Sequence, residues 1–116
     1  MANEEQKIED LKSYKIPKEL LKILRSENRR ITIDSVNVNF IEFASLLNVK
    51  EVVWNKHKFL DLLSDVDNYS ADGFLVWYPK KKCLAFADFE HEEFKELCNI
   101  KEFLENPSKQ IDKIFE

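Results

Sequence analysis

Phe74-Leu-Val-Trp-Tyr and Cys83-Leu-Ala-Phe-Ala stand on either side of Pro79-Lys-Lys-Lys. Two apolar runs of strand length around a proline-led polar tip read as a β-hairpin, and the lysines keep the tip soluble. Side chains alternate along a strand. Phe74, Val76 and Tyr78 therefore share one face, and Leu75 and Trp77 the other. Both faces are apolar. Such a hairpin is either covered on both sides in the middle of a sheet or presents one face to a partner.

The rest of the chain supplies the cover. Pro17 suits a first helical turn, since its missing N–H would be unpaired there anyway. Leu20, Leu21, Ile23 and Leu24 follow at helical spacing, which predicts a helix from Pro17 to about Glu27. A short helix over residues 4–13 is expected to fray, as chain ends do. Ile31 and Ile33, then Val36, Val38 and Phe40 alternating with Asn37 and Asn39, read as half-buried strands. Val49, Val52 and Val53 suit a short extended element, and Lys56 to Leu63 is expected to be a helix. Polar residues 65–73 form a turn region with the only glycine. Glu90 to Cys98 is expected to be helical, with Phe94, Leu97 and Cys98 as its apolar face. Ile100, Phe103 and Leu104 add a further turn, and a last helix follows Pro107. Strands in mid-chain with helices at both ends predict an α+β fold whose sheet is mostly antiparallel.

At 116 residues the chain is expected to form a single α+β domain over 1–116. A chain of this size buries roughly two-thirds of its unfolded surface, and 44% hydrophobic residues are a globular proportion. The net charge of −4 is unevenly spread. Lys7 to Arg30 carries eight basic residues against four acids, and Asp61 to Asn106 carries eleven acids against five lysines. The overall sign disfavours a nucleic-acid grip; its best support is Arg25, Arg29, Arg30 and the Lys80–Lys82 tip. The acidic half offers a face for a basic partner. The charged opening reads as no signal peptide. No apolar run approaches the ~20 residues a membrane helix needs, so the cytoplasm is the expected compartment.

Chemical motifs are sparse. A single glycine argues against phosphate-cradling loops. Cys83 and Cys98 have neither metal-ligand nor disulfide-framework spacing. His57 and His91 form no HxxxH or HxH pattern. Asp65, Asp67 and Asp72 depart from a calcium loop, because Tyr69 and Ser70 occupy its fifth and sixth positions. No cofactor, metal or catalytic residue is expected. Aromatic side chains are the remaining lead, since Trp and Tyr are enriched at binding hot spots. Trp77 and Tyr78 are candidate partner-binding anchors, with Asp72, Asp88, Glu90 and Glu93 as a charged rim.

Three stretches resemble one family. Ile16-Pro-Lys-Glu-Leu-Leu-Lys-Ile-Leu resembles the opening helix of the SUKH superfamily, the yeast cell-wall-regulator-like domains common in bacterial toxin–immunity loci. The run from Gly73 through the hairpin to Asp88-Phe-Glu-His-Glu resembles its late strand pair, and Ile100-Lys-Glu-Phe-Leu-Glu-Asn its terminal helix. The resemblance implies a non-enzymatic domain that binds and neutralises a cognate toxin, often a nuclease with a basic surface. The leading expectation is therefore a protein-binding module, in its specific form an immunity-type inhibitor, as a monomer or weak dimer. Two alternatives stand beside it. One is a small ligand-binding or hydrolytic domain using carboxylates and His91. The other is an oligomeric structural subunit that pairs through the hairpin edge or the last helix.

Overall fold

Asn3 accepts a 2.8 Å hydrogen bond from the Gln6 N–H, which caps α1 (Glu4–Asp10). The structure is a computed structural model; it describes residues 3–36, 38–66, 74–88 and 92–115, and for residues 63–66, 74 and 115 the backbone alone. A 3₁₀ turn at Lys12–Tyr14 leads to Pro17, which stands at the N-terminus of α2 (Lys18–Leu24). This helix ends earlier than its apolar spacing predicts. Ser26 Oγ accepts from the Asn28 N–H and donates to the Asn28 carbonyl, a local alternative to further helical bonds.

Among the described residues eight strands follow: β1 (Arg30–Thr32), β2 (Phe40–Phe43), β3 (Lys50–Trp54), β4 (His57–Asp61), β5 (Leu63–Val66), β6 (Phe74–Tyr78), β7 (Cys83–Asp88) and β8 (Glu93–Cys98). Two short helices, α3 (Ile100–Glu105) and α4 (Pro107–Asp112), and a 3₁₀ turn complete the order. Asn99 and Asn106 cap α3 and α4 with their side chains. The fold is α+β. The strands make a three-stranded sheet, β1-β2-β5, and a five-stranded sheet, β3-β4-β6-β7-β8, with antiparallel pairing throughout.

β4 and β5 are two halves of one extended run that changes sheet at Leu62. The Leu62 N–H donates to the Leu75 carbonyl in β6 (3.1 Å), and its carbonyl accepts from the Ala44 N–H beyond β2 (2.8 Å). One fully buried residue thus ties both sheets together.

Two expected helices are strands. Lys56 to Leu63 lies in β4 and the start of β5, because Asn55 (φ 49°) and Lys56 (φ 66°) make a two-residue turn. Positive φ at both central residues is the type I′ hairpin geometry. Phe59 and Leu60 are each buried, on opposite faces, so β4 lacks the alternation of a half-solvated strand. Glu90 to Cys98 was expected to be helical, and Glu93–Cys98 is β8. Leu84 pairs with Cys98 while Ala85 pairs with Glu96, leaving Leu97 as a bulge. The bulge resets the alternation, so Phe94 and Cys98 face opposite sides despite an even separation. That produces the i, i+3, i+4 apolar spacing of a helix on a strand.

The predicted hairpin is β6 and β7, with Phe74 opposite Ala87 and Tyr78 opposite Cys83. Its place is central: β4 flanks one side and β8 the other. Among the described residues the hairpin is therefore not an edge of the sheet. One face of the five-stranded sheet, with Leu75, Trp77 and Leu84, packs in a core with Leu20 and Leu24 of α2 and with Ile100, Phe103 and Ile111 of the C-terminal helices. The other face carries Phe59, Val76, Tyr78, Ala85 and Ala87, with Trp54, Cys83 and Phe94 around them. Among the described residues, no helix is long and apolar enough to cross a membrane.

Trp77 is 1% exposed, and its indole N–H donates to the Tyr14 carbonyl at 2.8 Å. It therefore links the sheet to the N-terminal segment through both packing and a buried hydrogen bond. Trp77→Ala is expected to lower stability by about 3–5 kcal/mol, read by urea denaturation at constant m-value. A loss below about 1 kcal/mol would contradict a core position.

Candidate functional site

The strand most open to another molecule is β3. Among the described residues β4 is its only strand neighbour, so its far side is a sheet edge. In a two-residue hairpin the residues flanking the turn exchange both backbone hydrogen bonds, and the pattern then alternates. Trp54 pairs with His57 and Val52 with Phe59 in this way. The backbone N–H and C=O groups of Glu51 and Val53 consequently point away from β4. An edge of this kind is a template for a further strand.

Side chains at this edge match the backbone. Val53 is 66% exposed and Leu47, in the 3₁₀ turn just before β3, is 45% exposed. Trp54 is half-buried at the end of the strand. Leu47 also lines a concavity of about 570 Å³ with Lys7, Ala44, Asn48, Val49, Lys50 and Asp61. Lys7 Nζ donates to the Val49 carbonyl at 2.9 Å, holding α1 against the beginning of the edge. The Tyr14 hydroxyl has its pKa raised by burial, then by the charge of Glu51 and a hydrogen bond to it. Lys7 and Tyr14 thus hold α1 and the following 3₁₀ turn beside Val49 and Glu51, while Val53 stays exposed.

Around the corner of the same strand lies a cluster of rings. Phe59, Tyr78 and Phe94 have centroids 5.1 to 5.3 Å apart. Trp54 stacks on Phe94 at 6.4 Å, and His57 meets the Tyr78 ring edge-on at 5.9 Å. Edge-to-face and tilted contacts at these distances are favourable beyond the area they bury.

The residues singled out from sequence do not form one surface among those described. Trp77 is placed in the helix-covered core, and Tyr78, 6% exposed, in the ring cluster on the other face. Neither is a surface anchor, because strand alternation in a doubly covered sheet buries both. Asp88 and Glu93 are directly opposite in the β7–β8 ladder, with Asp88 buried and Glu93 exposed. Asp72, Glu90 and His91 lie outside the described residues. The arginines of the nucleic-acid reading are each held by a partner: Arg25 by Glu4, Arg29 by the Ser26 and Phe43 carbonyls, and Arg30 by Glu42 and the Phe40 ring. Among the described residues, no three potential metal ligands converge.

The exposed valine and leucine at β3 were missed for a reason. Val49, Val52 and Val53 read from sequence only as a short extended element, and nothing in their spacing reveals which side lacks a neighbour.

Both cysteines are poor nucleophiles at neutral pH. Burial, then the charge of Glu96, pushes the Cys83 thiol up to about 11, against a smaller opposite effect of Lys81. Burial, then Glu102, does the same for Cys98, also to about 11. The thiolate is the reactive form. The folded values lie above the ordinary 9.0, so folding favours the protonated thiols. Their contribution to stability is full below pH 9 and is lost as the pH rises through about 11. Alkylation by iodoacetamide under native conditions should therefore keep rising beyond pH 9; a plateau by about pH 8.5 would contradict these environments.

No family model matches this chain, and neither a curated protein nor a solved structure matches it.

Proposed function

We propose that this chain is a protein-binding module that takes a segment of its partner alongside β3. The observation that carries the reading is the open edge: outward backbone groups at Glu51 and Val53, flanked by the exposed side chains of Val53 and Leu47. Strand addition draws affinity from main-chain hydrogen bonds and specificity from pockets for alternate side chains. The concavity beside Leu47 supplies such a pocket, with Ala44 and Val49 as apolar lining and Lys7, Lys50 and Asp61 as polar lining. The raised thiol pKa values weigh against a cysteine-based hydrolase.

A more specific form of the proposal is an immunity-type inhibitor of a bacterial toxin. It rests on the SUKH resemblance and on the acidic balance of residues 61–106. A basic toxin or nuclease domain is the partner that this charge would favour, and binding would then weaken with salt.

The test is capture of the partner from the source organism's lysate, including the product of the neighbouring gene, by the wild-type chain and by Val53→Lys. A lysine on an edge strand opposes further pairing, and the site is exposed, so stability should change by less than about 0.5 kcal/mol. Stoichiometric capture by the wild type and at least tenfold weaker capture by Val53→Lys is the expected result. Equal capture by both would move the interface off β3.

A further inference from the structure

We infer that the hollow between the 3₁₀–α2 connection, the β6–β7 tip and the start of α3 is a binding site for a small organic phosphate. Its volume is about 340 Å³, in the range of small-molecule sites. Lys15, Lys82 and Lys101 line it, from three segments far apart in sequence. Pro17 is its apolar wall, with Ile100 and Trp77 almost wholly buried behind it, and Glu19 is its one carboxylate. The charges sum to +2, from three lysines against one glutamate.

All three lysines are exposed, and among the described residues none of them forms an ion pair. A phosphate monoester carries about −1.5 to −2 at neutral pH, which matches the hollow's charge. Lysine binds phosphate as a point charge and needs no planar fork. The apolar wall would take the carbon body of the ester. The hollow shares no lining residue with the concavity beside Leu47 and does not depend on the partner reading.

The probe is phenyl phosphate, titrated into the ¹⁵N-labelled chain at low salt, with benzyl alcohol and inorganic phosphate as separate arms. Saturable shifts at Lys15, Lys82, Asn99 and Lys101 with phenyl phosphate, tighter than with either half alone, are expected. The paired substitution Lys82→Gln with Lys101→Gln should weaken binding about tenfold. Lys80→Gln with Lys81→Gln removes the same charge from the exposed tip and should leave affinity within about twofold. Circular dichroism confirms that each variant is folded. Absence of saturable shifts at millimolar ligand, equal losses in the two paired variants, or shifts centred elsewhere would overturn the assignment.

Discussion

Leu62 is the residue through which the two sheets are one structure. Its N–H is bonded to β6 and its carbonyl receives the chain after β2, while its side chain is fully buried in the main core. An unpaired backbone group at such depth is costly, so the extended run from His57 to Val66 must leave one sheet and join the other at this point. Everything placed by β2 and β1 then follows. Arg29 bonds back to the Phe43 carbonyl at 3.0 Å, and Ser108 on α4 accepts from the Asp34 N–H at 2.8 Å. The C-terminal helices are thereby stapled to the segment after β1, over the same core that α2 covers.

The doubly apolar hairpin sits at the centre of the larger sheet and obliges both of its faces to be filled. Helices fill one through Leu20, Leu24, Phe103 and Ile111, while Phe59, Tyr78 and Phe94 pack against one another on the second. A sheet built outward from a covered centre still ends in edges. β3 ends it on one side, and its approach is shaped by Lys7 and Leu47. The rigid centre and the open margin are thus consequences of one pattern, and the margin is where a partner strand has backbone groups to meet.

Much of the fold was legible. The hairpin with its alternating faces, the α+β arrangement and the helix after Pro17 all follow from apolar spacing and turn chemistry. The hidden parts share a cause, which is that neighbours decide them. Asn55-Lys56 makes a turn usually signalled by a glycine, and β4 buries both faces, so its period is invisible. The Leu97 bulge imposes helical spacing on β8. Trp77 and Tyr78 attracted attention as anchors because aromatic residues serve cores and interfaces alike. The open edge at Val53 was beyond reach of sequence, because exposure there depends on the absence of a neighbouring strand. The lysine-lined hollow was equally hidden, since Lys15, Lys82 and Lys101 meet only after folding.

Amide hydrogen exchange in the free chain tests the central claim most directly, because it reads the shared Leu62 junction and the open β3 edge in one measurement. The account predicts that the Leu62 and Ala44 amides exchange among the slowest, with Val52 and Trp54 also protected, while Glu51 and Val53 exchange as solvent-facing groups. Protection of Val53 equal to that of Leu62 would show a covered edge, and rapid exchange at Leu62 would show two sheets that are not joined; either result would contradict the account.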